Sequence, residues 1–170
     1  VKLSPYYTSL AHFATKLDEA GADGLVLFNR FYQPDIDVEE LQVRRQIHLS
    51  SSAELPLRLV WLAMLSPKVK ASLACTGGVH TVTDVVQSVM AGAHAIQLGT
   101  NVNGRAIDGK EFWPLYEVIE KSGKPILLHP SRAREMPDYV GEEKSKYEIC
   151  SVLGWPYETG VTLSRFVFSK

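Results

Sequence analysis

Apolar residues along this chain fall into two rhythms. Short unbroken runs at Val1 to Ser4, Gly24 to Phe28, Leu73 to Cys75, Ala95 to Leu98 and Ile126 to Leu128 have the length and density of strands covered on both faces. Between them the apolar positions recur at helical spacing. Leu10, Phe13, Ala14 and Leu17 make one such face after Ser9, and Val82, Val85, Val86, Val89 and Met90 make another behind a capping-box-like Thr81 and Asp84. Leu57 to Leu65 predicts a helix beginning near Glu54 and ending before Pro67. Phe112, Leu115, Tyr116 and Ile119 predict one capped by Asp108.

Two stretches interrupt the alternation. Pro34, Asp35 and Asp37 read as turn and Leu41 to Leu49 as strand, so 30–56 is expected to be a hairpin-like excursion over the tip of the second strand. Ser131 to Lys144, with Pro137 and Gly141, reads as a loop or lid. Helices at Glu148 to Leu153 and Glu158 to Phe168 should follow, separated by Gly154, Trp155 and Pro156.

One joint is written twice. AGADGLVLFN at 20–29 and AGAHAIQLGT at 91–100 share a helix end, a Gly-Ala corner and a strand with a polar tip. A repeated αβ joint implies right-handed βα units and a parallel sheet. A closed eight-unit barrel takes about 250 residues, so 170 residues hold about five or six units. The fold class expected is α/β, a parallel-sheet partial (β/α)8 barrel or an open sheet, in one domain over 1–170. A partial barrel leaves two edge strands, which predicts either a homodimer through those edges or their coverage by the C-terminal helices.

Composition narrows the partners. A net charge of −1 offers no basic face for nucleic acid or anionic membrane. No apolar run has the length of a membrane span, and a cytoplasmic setting is expected. A chain opening on Val1 in mid-strand reads as an excerpt or a trimmed piece. Cys75 and Cys150 lack metal-type spacing and read as buried free thiols.

The chemistry concentrates in Ala71 to Thr100. Two consecutive strands ending in Gly77-Gly78 and Gly99-Thr100 should bring two clusters of backbone N–H groups side by side, as a phosphate requires. The same glycines could merely turn strands into helices. Phe112, Trp113, Tyr116, Trp155 and Tyr157 are expected to pack in the core rather than bind a ligand.

VKLSP at 1–5, GADGLVLFNRFYQPDID at 21–37 and CTGGVHTVTDVVQSVMAGAHAIQLGT at 75–100 resemble the C-terminal half of dihydroorotate dehydrogenase-like flavoproteins, in family order over 1–100. The resemblance implies that Lys2 approaches the flavin, that Asn29 meets a pyrimidine substrate, and that Thr76, Gly77, Gly78, Gly99 and Thr100 form the FMN phosphate cradle. Phosphate or sulfate would then serve as a partial mimic. Lys2 could equally be a terminal lysine and Asn29 a turn cap. By the resemblance the family's base and the strands beneath the flavin ring lie upstream of Val1, so the residues here would bind with little or no turnover.

From about Ile96 the sequence is also similar to a segment of the amidohydrolase superfamily's decarboxylase-like branch, carried by QLGTNVNGRAIDGKEFWPLYEVIEKSGKPILLHPSRAREMPDYV and KYEICSVLGWPYETG. That likeness implies a chimera with 101–170 as its amidohydrolase-like segment, and it sets His129 where that family holds a metal. Three converging ligands are needed for such a site. His12, His48, His80 and His94 lie elsewhere in the pattern, so no metal is expected and His129 reads as a strand-tip residue. The leading expectation is an FMN- or phosphate-binding half-barrel. A metal-dependent amidohydrolase fragment and a purely structural chimera stand as alternatives.

Overall fold

The computed structural model describes residues 1–29, 34–44, 50–102 and 104–169. Five strands form one parallel sheet: β1 (Lys2–Leu3), β2 (Gly24–Leu27), β5 (Ser72–Thr76), β6 (Ala95–Gly99) and β9 (Ile126–His129), in that spatial order. Each pairs with the one before it, in registers running from Lys2 opposite Val26 to Gly99 opposite His129. Helices α1 (Leu10–Glu19), α2 (Leu55–Leu65), α3 (Val82–Met90) and α4 (Trp113–Ser122) alternate with the strands. This is a partial (β/α)8 barrel with β1 and β9 at its two edges.

The repeated joint is real. After α1 the Ala22 N–H donates to Leu17 O at 3.0 Å, and after α3 the Ala93 N–H donates to Ser88 O at 2.9 Å. Both helices stop on a glycine with positive φ, Gly21 and Gly92, a conformation that costs other residues dearly. The core runs without a break from Leu3, Leu25 and Leu27 through Leu62, Leu73 and Ile96 to Leu115 and Ile119.

Several expectations need correction. Asp35–Asp37 is strand β3, not turn, and pairs antiparallel with β4 (Gln42–Arg44). The rest of the expected strand to Leu49, with His48, and also Arg30, lies outside the described residues. The buried face of α3 is Asp84, Val85 and Ser88, whereas Met90 is 81% exposed. The buried Ser88 hydroxyl lies 3.5 Å from the Cys75 sulfur.

Asp108 does not cap α4. A short 3-10 turn at Lys110–Phe112 leads into that helix, and the Asp108 carboxylate instead accepts from Arg165 at 2.9 Å. The link after Thr100 contains a second small hairpin, β7 (Asn101–Val102) with β8 (Arg105–Ala106). At the C-terminus a π-turn at Cys150–Gly154 runs directly into α5 (Trp155–Phe168), because Pro156 occupies the first helical turn, where its missing N–H is harmless.

Among the aromatic positions, Tyr116 packs edge-on to Phe166 at 5.1 Å, while Trp113, Trp155 and Tyr157 are exposed rather than in the core. Cys75 and Cys150 are buried and free.

Candidate functional site

A parallel sheet delivers all its strand C-termini to one edge, and ligands of α/β folds collect there. Here that edge carries, in spatial order, the tips of β1, β2, β5, β6 and β9. Lys2, Asn29, Thr76, Gly77, Gly78, Gly99, Thr100 and His129 each lie on one of these strands or on the turn beyond it.

Lys2 sits within β1, opposite Val26, and is half-buried. Burial lowers its pKa, since the ammonium loses water. Asn29, just past β2, is held by its backbone: its N–H donates to Leu3 O at 2.6 Å, leaving an exposed side chain beside β1. Leu27–Phe28 at the same tip is a cis peptide.

The turn after β5 is built tightly. Gly77 and Gly78 both have positive φ, 75° and 81°. Beneath them lies Arg58 of α2, only 5% exposed. Its Nε donates to Thr76 O at 3.3 Å, one terminal nitrogen donates to Glu54 O at 2.8 Å, and the other pairs with the Glu54 carboxylate at 3.0 Å. Arg58 therefore holds the end of β5 to the start of α2. The sequence does carry a signal for it: a lone arginine inside LPLRLVWLAML. On the far side of the turn, the Asp84 carboxylate closes the capping box. It accepts from the N–H groups of His80 (2.9 Å) and Thr81 (2.8 Å) and from the Ser52 hydroxyl (2.8 Å). Burial would raise the Asp84 pKa, but these hydrogen bonds outweigh it and hold the carboxyl below its usual value. Ser50 Oγ lies 3.2 Å from His80 Nε2.

The second half of the expected cradle differs. The Thr100 N–H donates to His129 O at 3.0 Å, extending the β6–β9 ladder, so it is not available to a phosphate. Thr100 is buried, and its hydroxyl accepts from the Ser131 N–H at 3.1 Å. A Cβ on Gly99 would stand 2.8 Å from Ser131 Oγ, so Ser131 fills the space that glycine opens. The Gly78 N–H, by contrast, donates to no acceptor among the described residues. Two side-by-side clusters of free donors are thus not what the structure presents; one turn is open and the other is covered.

The cover comes from α5. Glu158 accepts from the N–H groups of Ser131 (2.8 Å) and Arg132 (2.9 Å) and from the Asn101 side-chain amide (3.1 Å). Nothing in the local sequence marks Glu158, because its partners lie 26 or more residues away. His129 is exposed, with Nδ1 2.8 Å from Pro130 O, and no cluster of three metal-ligating side chains occurs among the described residues. No helix among them is long and apolar enough to cross a membrane.

The sequence profile of the dihydroorotate dehydrogenase family matches residues 1–110. The catalytic subunit of dihydroorotate dehydrogenase B (NAD(+)) from Geotalea uraniireducens is 40% identical over 108 residues, covering 59% of this chain and 34% of the relative. The corresponding subunit from Exiguobacterium sibiricum is 35% identical over 103 residues, with 59% and 33% covered. The chain spans about a third of the length of these curated relatives. The match passes through Ile96 to Thr100 and beyond, so β6 and the β7–β8 hairpin belong to the dehydrogenase-like part. The comparisons lend no support to an amidohydrolase segment or a chimera. With 110 of its 170 residues under the family profile, this chain belongs to the dihydroorotate dehydrogenase family.

Proposed function

We propose that residues 1–110 are the cofactor-phosphate side of an FMN-dependent dihydroorotate oxidoreductase. The observation that carries this reading is the Thr76 to Gly78 turn: two left-handed glycines over a buried arginine, with the Gly78 N–H unpaired among the described residues. Such a turn suits a phosphate oxygen, and the half-buried Lys2 suits the anionic edge of a reduced ring. Bound FMN would supply the hydride acceptor. Asn29, exposed beside β1, would orient a planar pyrimidine through its amide.

The Gly99 to Thr100 turn fits the same phosphate poorly while Ser131 and Glu158 cover it. These residues alone therefore bind with little turnover, since proton abstraction and hydride transfer must be positioned together. Phosphate or sulfate is a partial mimic at the open turn.

Titration of the protein with FMN and, separately, riboflavin tests the reading through flavin fluorescence. FMN should bind at least about tenfold more tightly, because charge-assisted hydrogen bonds to phosphate are the ones riboflavin lacks. Equal affinity for the two, or no binding of either, would overturn it.

A further inference from the structure

Helices on the outside of an α/β fold turn an apolar stripe inward and charged residues outward. Helices α1 and α4 do so: Lys16, Glu19, Glu117, Glu120 and Lys121 are all exposed. Helices α2 and α3 do the reverse with their charge. Each carries one charged residue, Arg58 or Asp84, and both are buried. Every exposed residue of these two helices is uncharged. Five of them are large and apolar, Leu57, Val60 and Met64 on α2 with Val86 and Met90 on α3, and their exposures run from 38% to 81%.

The two helices lie side by side and point the same way. Where they begin, a Cβ on Gly78 would stand 2.7 Å from the Leu55 nitrogen, and the Ser52 hydroxyl donates to Asp84 at 2.8 Å. Where they end, a Cβ on Gly92 would stand 2.5 Å from the Ser66 Cβ. Met64 and Met90 therefore fall at the same end, and the two outward faces make one surface. It flanks β5, the middle strand of the sheet, and is distinct from the sheet edges at β1 and β9.

We infer that this surface is the contact face for a second copy of the chain, joined about a two-fold axis. Two observations select that occupant. In a two-fold interface a residue near the axis meets its own counterpart, so a charge there would repel itself, and this face exposes none. The five apolar side chains expose roughly 500 Å² on one copy, so two copies bury about 1,000 Å², the size at which specific interfaces begin. So modest an area makes the dimer reversible rather than obligate. The inference is independent of the FMN reading.

Sedimentation equilibrium of the full chain, from micromolar to millimolar concentration, tests this with Val60→Lys and Met90→Lys. His12→Lys, at an exposed position of α1, serves as the charge control. Wild type and His12→Lys should dimerise alike, and each lysine on the face should raise the dissociation constant at least about tenfold by meeting its like across the axis. A weakening in either face variant that His12→Lys does not share supports the proposal. Undiminished association in both face variants, as a dimer built on a sheet edge would give, overturns it, and so does equal weakening by His12→Lys. A wild type that stays monomeric also overturns it, including one that floats with phosphatidylcholine vesicles and so assigns the face to lipid. Circular dichroism checks the fold of each variant; if Val60→Lys does not fold, the more exposed Met90→Lys decides alone.

Discussion

Gly78 and Leu55 meet backbone to backbone. A Cβ on Gly78 would stand 2.7 Å from the Leu55 nitrogen and 2.9 Å from its Cα, and neither atom can move without moving α2. Gly78→Ala is therefore expected to cost about 2–4 kcal/mol, combining strain at positive φ with overpacking. Gly77→Ala should cost less, about 1–2 kcal/mol, since its Cβ meets only the Arg58 side chain, at 3.1 Å, and no backbone atom. Urea midpoints for the two variants check the order. Loss of ligand binding in Gly78→Ala carries meaning only beside that stability measurement.

Arg58 is the second support of the turn. Arg58→Met leaves two backbone carbonyls and the Glu54 carboxylate without their donor and should cost about 2 kcal/mol. Arg58→Lys should restore little, because an ammonium cannot reach three acceptors in the guanidinium's fork. Thermal unfolding of the two variants, which should fall close together, tests this.

Asp84 should govern part of the acid limb. Its folded pKa lies below its unfolded value near 3.8, so the stability it adds is present above that pH and lost as pH falls further, when the capping box is protonated. Asp84→Ala should lose about 1–2 kcal/mol at neutral pH and show a flatter decline below about pH 4. Urea unfolding between pH 2 and 6 provides the measurement.

Burial pushes the Cys75 thiol up, despite its Ser88 contact, and Cys150 is only 4% exposed. Both thiols should react with Ellman's reagent at the rate of unfolding in native buffer and at once in denaturant. A Cys75 thiol that reacts rapidly under native conditions would contradict its burial against Ser88 of α3.

We propose that the outer edge of β9 supports self-association with a second copy, since Leu127 is 42% exposed there and, among the described residues, β6 is its one neighbour in the sheet. Leu127→Lys should weaken dimer formation about tenfold by light scattering. An unchanged monomer in both proteins would refute this.

The five main strands and the Thr81–Asp84 cap could be read from the sequence because each is local: a run length, a glycine stop, a three-residue spacing. What could not be read is what depends on the C-terminal third folding back. The Thr100 N–H looked free because its acceptor, His129 O, is 29 residues away on a strand whose register no pattern specifies. The α3 stripe misled for a related reason. Periodicity marks apolar positions, but the face that packs inward carries the polar Asp84 and Ser88 beside Val85, and Met90 is exposed. Arg58 lay in plain view as a lone charge in an apolar helix, a signal that reports burial without naming the partner.

The order of the main sheet also bears on how the chain is made. Because every strand pairs with its immediate predecessor, each newly synthesised βα unit finds a finished edge waiting for it. The longest wait falls between β2 and β5, across the β3–β4 hairpin. Assembly can therefore proceed outward from the N-terminal strands during translation, with the Glu158 contact sealed last.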